Sequence, residues 1–289
     1  MNEHIMTTPL YSQTRALTAS SLGKWLEYTV DTGIIRETAL EFGVAVVQGM
    51  NFTEPEFRKF VEALGDKISY EQDNADVGYG FSDILYLDGT RETGKVITGR
   101  SGLPLHTDGV LLGTQVDIII LFAAKVEDLT SDGATLICDQ ITAWQEMPTD
   151  LRDLVMRGKL EYLATERGYF TNVPDKWYAI PTFRDYGRVK SLNLALPFPS
   201  GAPASWDVRV PGVPADVSAQ FFADLRDHFM QKRYLYEHHW STGDLVVIDN
   251  QRTLHGRRGL SRGGTRVLLR GQVTLPVIAH APGVTSNIV

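Results

Sequence analysis

Apolar and polar positions along this chain change period several times, and each change marks an element. Residues 43–47, Gly-Val-Ala-Val-Val, form a short apolar run that predicts a buried strand. Residues 53–64 switch to a helical period. Thr53 and Glu56 are spaced as a capping box, and Phe57, Phe60, Val61 and Leu64 fall on one face. Residues 115–124 are too apolar for a strand with one wet face and predict a central strand. Residues 135–139 read as another strand, followed by a short helix near 149–156. Residues 218–230 carry Phe221, Phe222, Leu225 and Phe229 as a helical stripe. After Gly243 and Asp244 come a strand at 245–248, a loop holding His255, and a strand at 266–274. Residues 66–104, rich in Gly and Asp, suit a mobile cover better than a sheet. Residues 157–215, dense in aromatics and prolines, yield no assignment.

Strands toward both ends with helices tucked around them predict a mainly β protein with flanking helices on a double-stranded β-helix, or jelly-roll, core. No Pro- or Ser-rich linker divides the 289 residues. One domain over 1–289 is expected, with about 1–15 and 275–289 as peripheral tails. A hydrophobic content of 43% suffices for a sizeable core. The net charge of −7 offers no global basic field to nucleic acid or an anionic membrane, so the expected partner is a small molecule, with a homo-oligomer left open. The longest apolar run, 118–124, is far short of the roughly 20 residues a membrane helix needs. Glu3 and His4 are unlike the basic start of a signal peptide. Cys138 is the single cysteine, which excludes an intrachain disulfide and favours a cytoplasmic location.

The first chemical signal is Leu105-His106-Thr107-Asp108-Gly109. In an extended strand residues two apart point the same way, so His106 and Asp108 reach one metal while Thr107 faces elsewhere. A His-x-Asp pair alone is more often a hydrogen-bonded loop pair. Its company here reverses those odds, because His255 follows a Gly-Asp-Leu-Val-Val strand within Asp249-Asn250-Gln251-Arg252-Thr253-Leu254-His255. Two imidazoles and a carboxylate on one face of an octahedron suit non-haem iron(II), leaving positions open for a cosubstrate and O2. His238 and His239 would point to opposite faces of a strand, His4 and His280 lie near the termini, and His228 sits on a helix. Cys138 reads as a small buried hydrophobe.

Beyond His255, alternation places Arg266, Leu268, Arg270 and Gln272 on one strand face, with about 13 Å between the two arginines. On an ordinary sheet that face would be solvated, with Val267, Leu269 and Val273 packed beneath. Inside a jelly roll it would line the cavity, where an arginine fork suits the distal carboxylate of 2-oxoglutarate. Thr135 could add its hydroxyl to the same carboxylate.

The order is His-x-Asp, a Gly-x-Thr strand, Asp-Asn-x-x-x-x-His, an arginine eleven residues later and another four beyond. In it the chain resembles the taurine dioxygenase and clavaminate synthase-like superfamily of iron(II)/2-oxoglutarate oxygenases. That resemblance implies iron ligands at His106, Asp108 and His255, and 2-oxoglutarate contacts at Thr135 and Arg266. The chain is more similar still to the carbapenem synthases, which invert and desaturate a bicyclic β-lactam. Matching segments run from about residue 40 to 274 and include Val96-Ile-Thr-Gly-Arg100, Glu166-Arg-Gly-Tyr169, Pro203-Ala-Ser-Trp206 and Arg270-Gly-Gln272. This closer resemblance implies a substrate surrounded by Tyr70, Tyr169 and Trp206, with Arg270 at its carboxylate and the two tyrosines as candidate catalytic hydrogen donors. Phe170 stands where a second consecutive tyrosine is expected, and Ala195 replaces an aromatic, enlarging the same wall of the pocket.

The expectation is therefore an oxygenase of secondary (antibiotic-type) metabolism that uses Fe(2+), 2-oxoglutarate and O2. It would hydroxylate or desaturate a small carboxylate-bearing natural-product intermediate, releasing succinate and CO2. A carbapenem synthase-like epimerase is the nearest alternative. A non-catalytic jelly roll that binds a small acid, or a zinc hydrolase on the same triad, would differ by releasing no succinate.

Overall fold

Residues 118–123 of the strand Ile118–Glu127 are apolar on both faces because both faces are covered there. Ile118, Ile120 and Phe122 pack with Phe57, Val61 and Leu64 of the helix Glu54–Leu64. Ile119, Leu121 and Ala123 point the other way and pack with Leu268, Ile137 and Trp240. These facts come from a computed structural model that describes residues 15–16, 22–69, 83–90, 95–127, 132–157, 159–166, 169–170, 173–185, 189–261 and 263–276. Tyr70, Gly78-Tyr79-Gly80 and nearly all of both tails lie outside the described residues.

Ile118–Glu127 pairs antiparallel with Leu245–Asp249 on one side and Thr265–Thr274 on the other. The sheet continues past Leu245–Asp249 to Val44–Val47, Lys24–Leu26 and Arg15–Ala16, and past Thr265–Thr274 to Asp66–Lys67 and Leu85–Asp88. Helices Thr32–Phe42 and Glu54–Leu64 cover its outer face. A second sheet, in the order Leu235–His238, Thr135–Asp139, Thr253–Arg257, Leu103–His106, is antiparallel throughout. In Thr135–Asp139, Ile137 joins the core between the sheets, whereas Leu136 and Cys138 face an outer layer that includes the helix Ala215–Phe229. Two facing sheets with helices outside are the expected mainly β jelly roll.

Several elements match their sequence signals and several do not. The capping box of Glu54–Leu64 forms as its spacing predicts, with Thr53 N donating to Glu56 Oε2 at 2.8 Å and Glu56 N donating to Thr53 Oγ1 at 3.4 Å. His255, expected in a loop, lies within the strand Thr253–Arg257. The loop is shorter than its polar composition suggests, because Asp249 closes a tight turn. Its side chain accepts from Gln251 N at 2.9 Å and its carbonyl from Arg252 N at 3.2 Å. Within residues 66–104, Leu85–Asp88 is no cover but a sheet strand, paired with Thr265–Thr274 and burying Leu87. Residues 157–215 hold a three-stranded sheet, Tyr178–Pro181, Lys159–Ala164 and Trp206–Arg209, in which Leu160, Tyr162 and Ala164 alternate inward. Among the described residues no helix is long and apolar enough to cross a membrane.

The helix Glu54–Leu64 lies against Thr265–Thr274 at Gly271, where a β-carbon would lie 2.5 Å from Val61 Cγ2 and 2.9 Å from Val61 Cγ1. Only a residue without a side chain allows this approach. Gly271→Ala is expected to cost about 1–3 kcal/mol through overpacking, seen as a lower Tm. An unchanged Tm would show that the helix has room to retreat.

Candidate functional site

His106 and His255 face each other in register across neighbouring strands, with ring centroids 4.3 Å apart. His106 Nδ1 lies 2.8 Å from the Pro104 carbonyl. A carbonyl only accepts, so Nδ1 carries the proton and Nε2 is left with a lone pair. Strand alternation does not bring Asp108 to them, because the strand Leu103–His106 ends before it. The turn is pinned instead. Asp108 N donates to Asn250 Oδ1 at 3.0 Å, and Asn250 Nδ2 donates to the carbonyls of Asp108 at 3.2 Å and Val116 at 2.8 Å. Gly109 follows at φ 85°, where a β-carbon would collide with the Thr114 carbonyl.

The result is a compact cluster. Asp108 Oδ1 lies 3.3 Å from His106 Nε2 and 3.6 Å from His255 Nε2. The ligand atoms these three buried residues offer all lie within 4.8 Å of one another. Burial opposes ionisation of Asp108, but Arg270, His255 and His106 together hold its carboxyl far below the usual range. Burial, and then His106, push His255 down to about 3, so it is neutral and able to ligate at physiological pH.

The cluster opens on a cavity whose opposite side is the arginine strand, Thr265–Thr274. Arg266, Leu268, Arg270 and Gln272 all line the cavity, while Leu269 and Val273 pack on the helix side. The face is therefore not solvated. Arg266 is 0% exposed; Nη1 donates to the Gly133 carbonyl, while Nε and Nη2 have no hydrogen-bond partner. Burial, with Arg257 and Arg100 nearby, draws its pKa well below the ordinary guanidinium value. Thr135 lines the same end of the cavity, and its Oγ1 accepts the indole N–H of Trp240 at 3.0 Å. That bond occupies one lone pair and leaves the threonine O–H to donate.

Toward the other end, Arg270 Nη2 donates to the Tyr169 hydroxyl at 2.7 Å, and Nη1 lies 3.6 Å from Asp108 Oδ2. Burial raises the Tyr169 pKa, keeping the phenol protonated. Phe170 meets Tyr169 edge-on at 5.0 Å, and Trp206 lies 5.5 Å from the His106 ring with its N–H on the Leu196 carbonyl. All three aromatics line the cavity, with Ile97, Leu103 and Leu111. Ala195 is not among the lining residues. Its backbone forms a β-bridge to His106 and its N–H donates to the Tyr162 hydroxyl.

Three contributors carried no signal strong enough to be singled out. Trp240 adjoins His238 and His239 in the sequence, and a buried indole needs a partner for its N–H, here Thr135. Gln272 shares the arginine face and donates to Asp108 Oδ2. Arg257 lines the cavity and donates to the carbonyls of Val96, Ile97 and Ser101, tying that segment to the His255 strand. Burial, then Arg270, push its pKa down to about 10. Of the remaining described histidines, His228 bonds the Ala143 carbonyl, His238 lies between Tyr236 and Asp244, and His239 is exposed.

A double-stranded β-helix with two imidazoles and one carboxylate converging at its mouth defines a jelly-roll protein of the facial-triad type. The family described as taurine catabolism dioxygenase TauD, TfdA family, matches residues 12–272, and the chain belongs to it. It is 30% identical over 188 residues to the alpha-ketoglutarate-dependent 2,4-dichlorophenoxyacetate dioxygenase of Cupriavidus pinatubonensis. That match covers 60% of this chain and 61% of the relative, less than two thirds of its length. The 3-((Z)-2-isocyanoethenyl)-1H-indole synthase of Fischerella ambigua is 20% identical over 260 residues, 86% of this chain and 91% of that protein. PvcB from Pseudomonas aeruginosa shares the fold with a TM-score of 0.67 at 18% identity, covering 94% of each chain. AAD-2, solved in complex with Mn(II) and N-oxalylglycine, gives 0.65 at 17% identity, covering 90% of this chain and 97% of that one.

Trp240→Phe keeps the ring and deletes the donor to Thr135. It is expected to weaken 2-oxoglutarate binding roughly 2- to 10-fold in calorimetric titration, the scale of one neutral hydrogen bond. Unaltered affinity would show that Thr135 is oriented without it.

Proposed function

We propose that this protein is an iron(II)- and 2-oxoglutarate-dependent oxygenase of small carboxylic acids, formed as one domain over residues 1–289. The observation that carries the reading is the Arg266 guanidinium. It is fully buried, with two nitrogens unpartnered, on the same cavity as the His-Asp-His cluster. A buried charge without a partner is costly, and a carboxylate entering there relieves it. The donor set fits the metal as well, since two imidazoles and one carboxylate suit iron(II). His106 would hold it through Nε2, Asp108 through Oδ1 and His255 through Nε2. When bound, iron(II) with 2-oxoglutarate and O2 supplies the power to remove hydrogen from an unactivated C–H bond, with succinate and CO2 as coproducts.

The chain's own residues do the placing. Arg266 and the Thr135 hydroxyl bind the distal carboxylate of 2-oxoglutarate. Arg270, braced by Tyr169, anchors the substrate's carboxylate. Trp206, Phe170, Ile97 and Leu111 pack on its apolar body and exclude water. Arg257, Arg266 and Arg270 outnumber Asp108 at the cavity, so anionic ligands are favoured. The relative named for 2,4-dichlorophenoxyacetate, a carboxylate on an apolar body, supports a substrate of that chemistry. The single, buried Cys138 supports a reducing compartment such as the cytoplasm.

The carbapenem synthase resemblance enters through Tyr169, Trp206 and Arg270, which share this cavity. Phe170, at the position of the expected donor, has no O–H to return hydrogen to a carbon radical, whereas the Tyr169 hydroxyl accepts from Arg270 and keeps its own hydrogen. Hydroxylation or desaturation is therefore proposed over stereoinversion.

His106→Ala, Asp108→Ala and His255→Ala should each abolish succinate formation in a screen of aryl and cyclic monocarboxylates. Arg266→Gln should raise the 2-oxoglutarate KM roughly 10- to 100-fold. Wild-type turnover in any ligand variant removes that residue from the site, and no succinate with any acid favours a binding protein. Arg270→Ala should raise the KM of the acid substrate more than that of 2-oxoglutarate and leave succinate release uncoupled from product. Equal effects on both would make Arg270 a brace for the cosubstrate end.

A further inference from the structure

The two oxygens of Asp108 keep different company. Oδ1 faces both imidazoles. Oδ2 turns away from them, accepts the side-chain amide of Gln272, and lies 3.6 Å from Arg270 Nη1. Gln272 is 4% exposed and lines the cavity. Its amide must present the NH2 end here, because the carbonyl end would set acceptor against acceptor.

We propose that Gln272 is a positioning residue that keeps Asp108 a one-oxygen ligand. It thereby preserves the coordination position that 2-oxoglutarate needs. This rests on reading the triad as a metal site.

Carboxylates bind cations through one oxygen or both, and the second mode uses up an additional position. A facial triad is useful only if its opposite face stays open. A hydrogen bond from Gln272 engages Oδ2 and fixes the carboxylate's rotation, as outer partners of metal ligands commonly do. Arg270 gives Oδ2 a second positive neighbour, but in the proposed function it also serves the substrate's carboxylate. Once it turns to the substrate, Gln272 still restrains Oδ2. Gln272 lies two residues past Arg270 on one strand face, so a single strand would bind both acids and set how the metal is held.

Gln272→Met keeps the side-chain length and removes the donor. Wild type and variant would be loaded anaerobically with Co(II), whose visible absorption reports coordination number, and titrated with 2-oxoglutarate. The variant should retain cobalt, show a changed spectrum before 2-oxoglutarate is added, and bind 2-oxoglutarate about tenfold more weakly, the scale of one charge-assisted hydrogen bond. A merely structural role would lower Tm and leave spectrum and affinity alone, and that result overturns the proposal. A crystal structure of the wild type with Mn(II) and N-oxalylglycine decides it even if the variant does not fold. Asp108 ligating through Oδ1 alone with Gln272 on Oδ2 supports the assignment; both oxygens on the metal, or the amide elsewhere, overturns it. Wild-type protein that takes up no Co(II) would bring down the metal reading itself, whereas the other results bear on Gln272 alone.

Discussion

Burial of the Arg266 guanidinium is the constraint around which the barrel is organised. A guanidinium whose pKa burial draws well below its ordinary value is placed where water does not reach it, and only one of its nitrogens donates to the protein. Such a group is tolerable if its strand is held on every side. The strand Thr265–Thr274 has Ile118–Glu127 on one edge, Leu85–Asp88 and Asp66–Lys67 on the other, and the helix Glu54–Leu64 on its back. The cost of burying the charge is the same physical fact as affinity for an anion. A carboxylate that enters gains what the folded chain alone lacks, and a ligand that binds only the folded state stabilises it.

The His-Asp-His cluster depends on a different kind of support. His106 and His255 are strand residues whose mutual register is set by backbone pairing. Asp108 belongs to a turn, and the side chain of Asn250 determines where that turn lies. Asn250 in turn follows the buried strand Leu245–Asp249. The Asp-Asn pair of the sequence thus serves both ends of the cluster. Asp249 closes the turn that starts the His255 strand, and Asn250 fastens the turn that carries Asp108.

Much of this was legible in the sequence wherever one residue type had one physical use. The apolar run at 118–124 read as a central strand, covered on both faces over 118–123, and the Thr53–Glu56 spacing read as the cap that forms. Alternation from Arg266 to Gln272 gave the right face, although whether it was wet or dry depended on the barrel around it. Failures came where composition was used in place of pattern. Gly and Asp around Leu85–Asp88 concealed a strand that exists because Thr265–Thr274 offers it an edge. Prolines and aromatics in 157–215 masked the inward alternation of Leu160, Tyr162 and Ala164. The extended-strand argument for His106 and Asp108 reached the right pair through the wrong geometry, since no local pattern announces a clamp by an asparagine 142 residues away.

Trp206, which flanks His106, is the first residue of the strand Trp206–Arg209 in the three-stranded sheet; the ligands and both strand arginines are carried on or between the two sheets of the jelly roll. The two sets of residues meet at the cavity, and residues 192–196 join their frames: Ala195 forms a β-bridge to His106, Thr107 N donates to the Leu194 carbonyl at 2.8 Å, and Leu196 N donates to the Leu105 carbonyl at 3.0 Å. Exchanges at Tyr169, Phe170 and Trp206 can reshape what the cavity accepts, whereas changes at 192–196 act on the strand that carries His106 as well. Reshaping this wall leaves the imidazole pair untouched only where a side chain alone is exchanged and the backbone at 192–196 keeps its place.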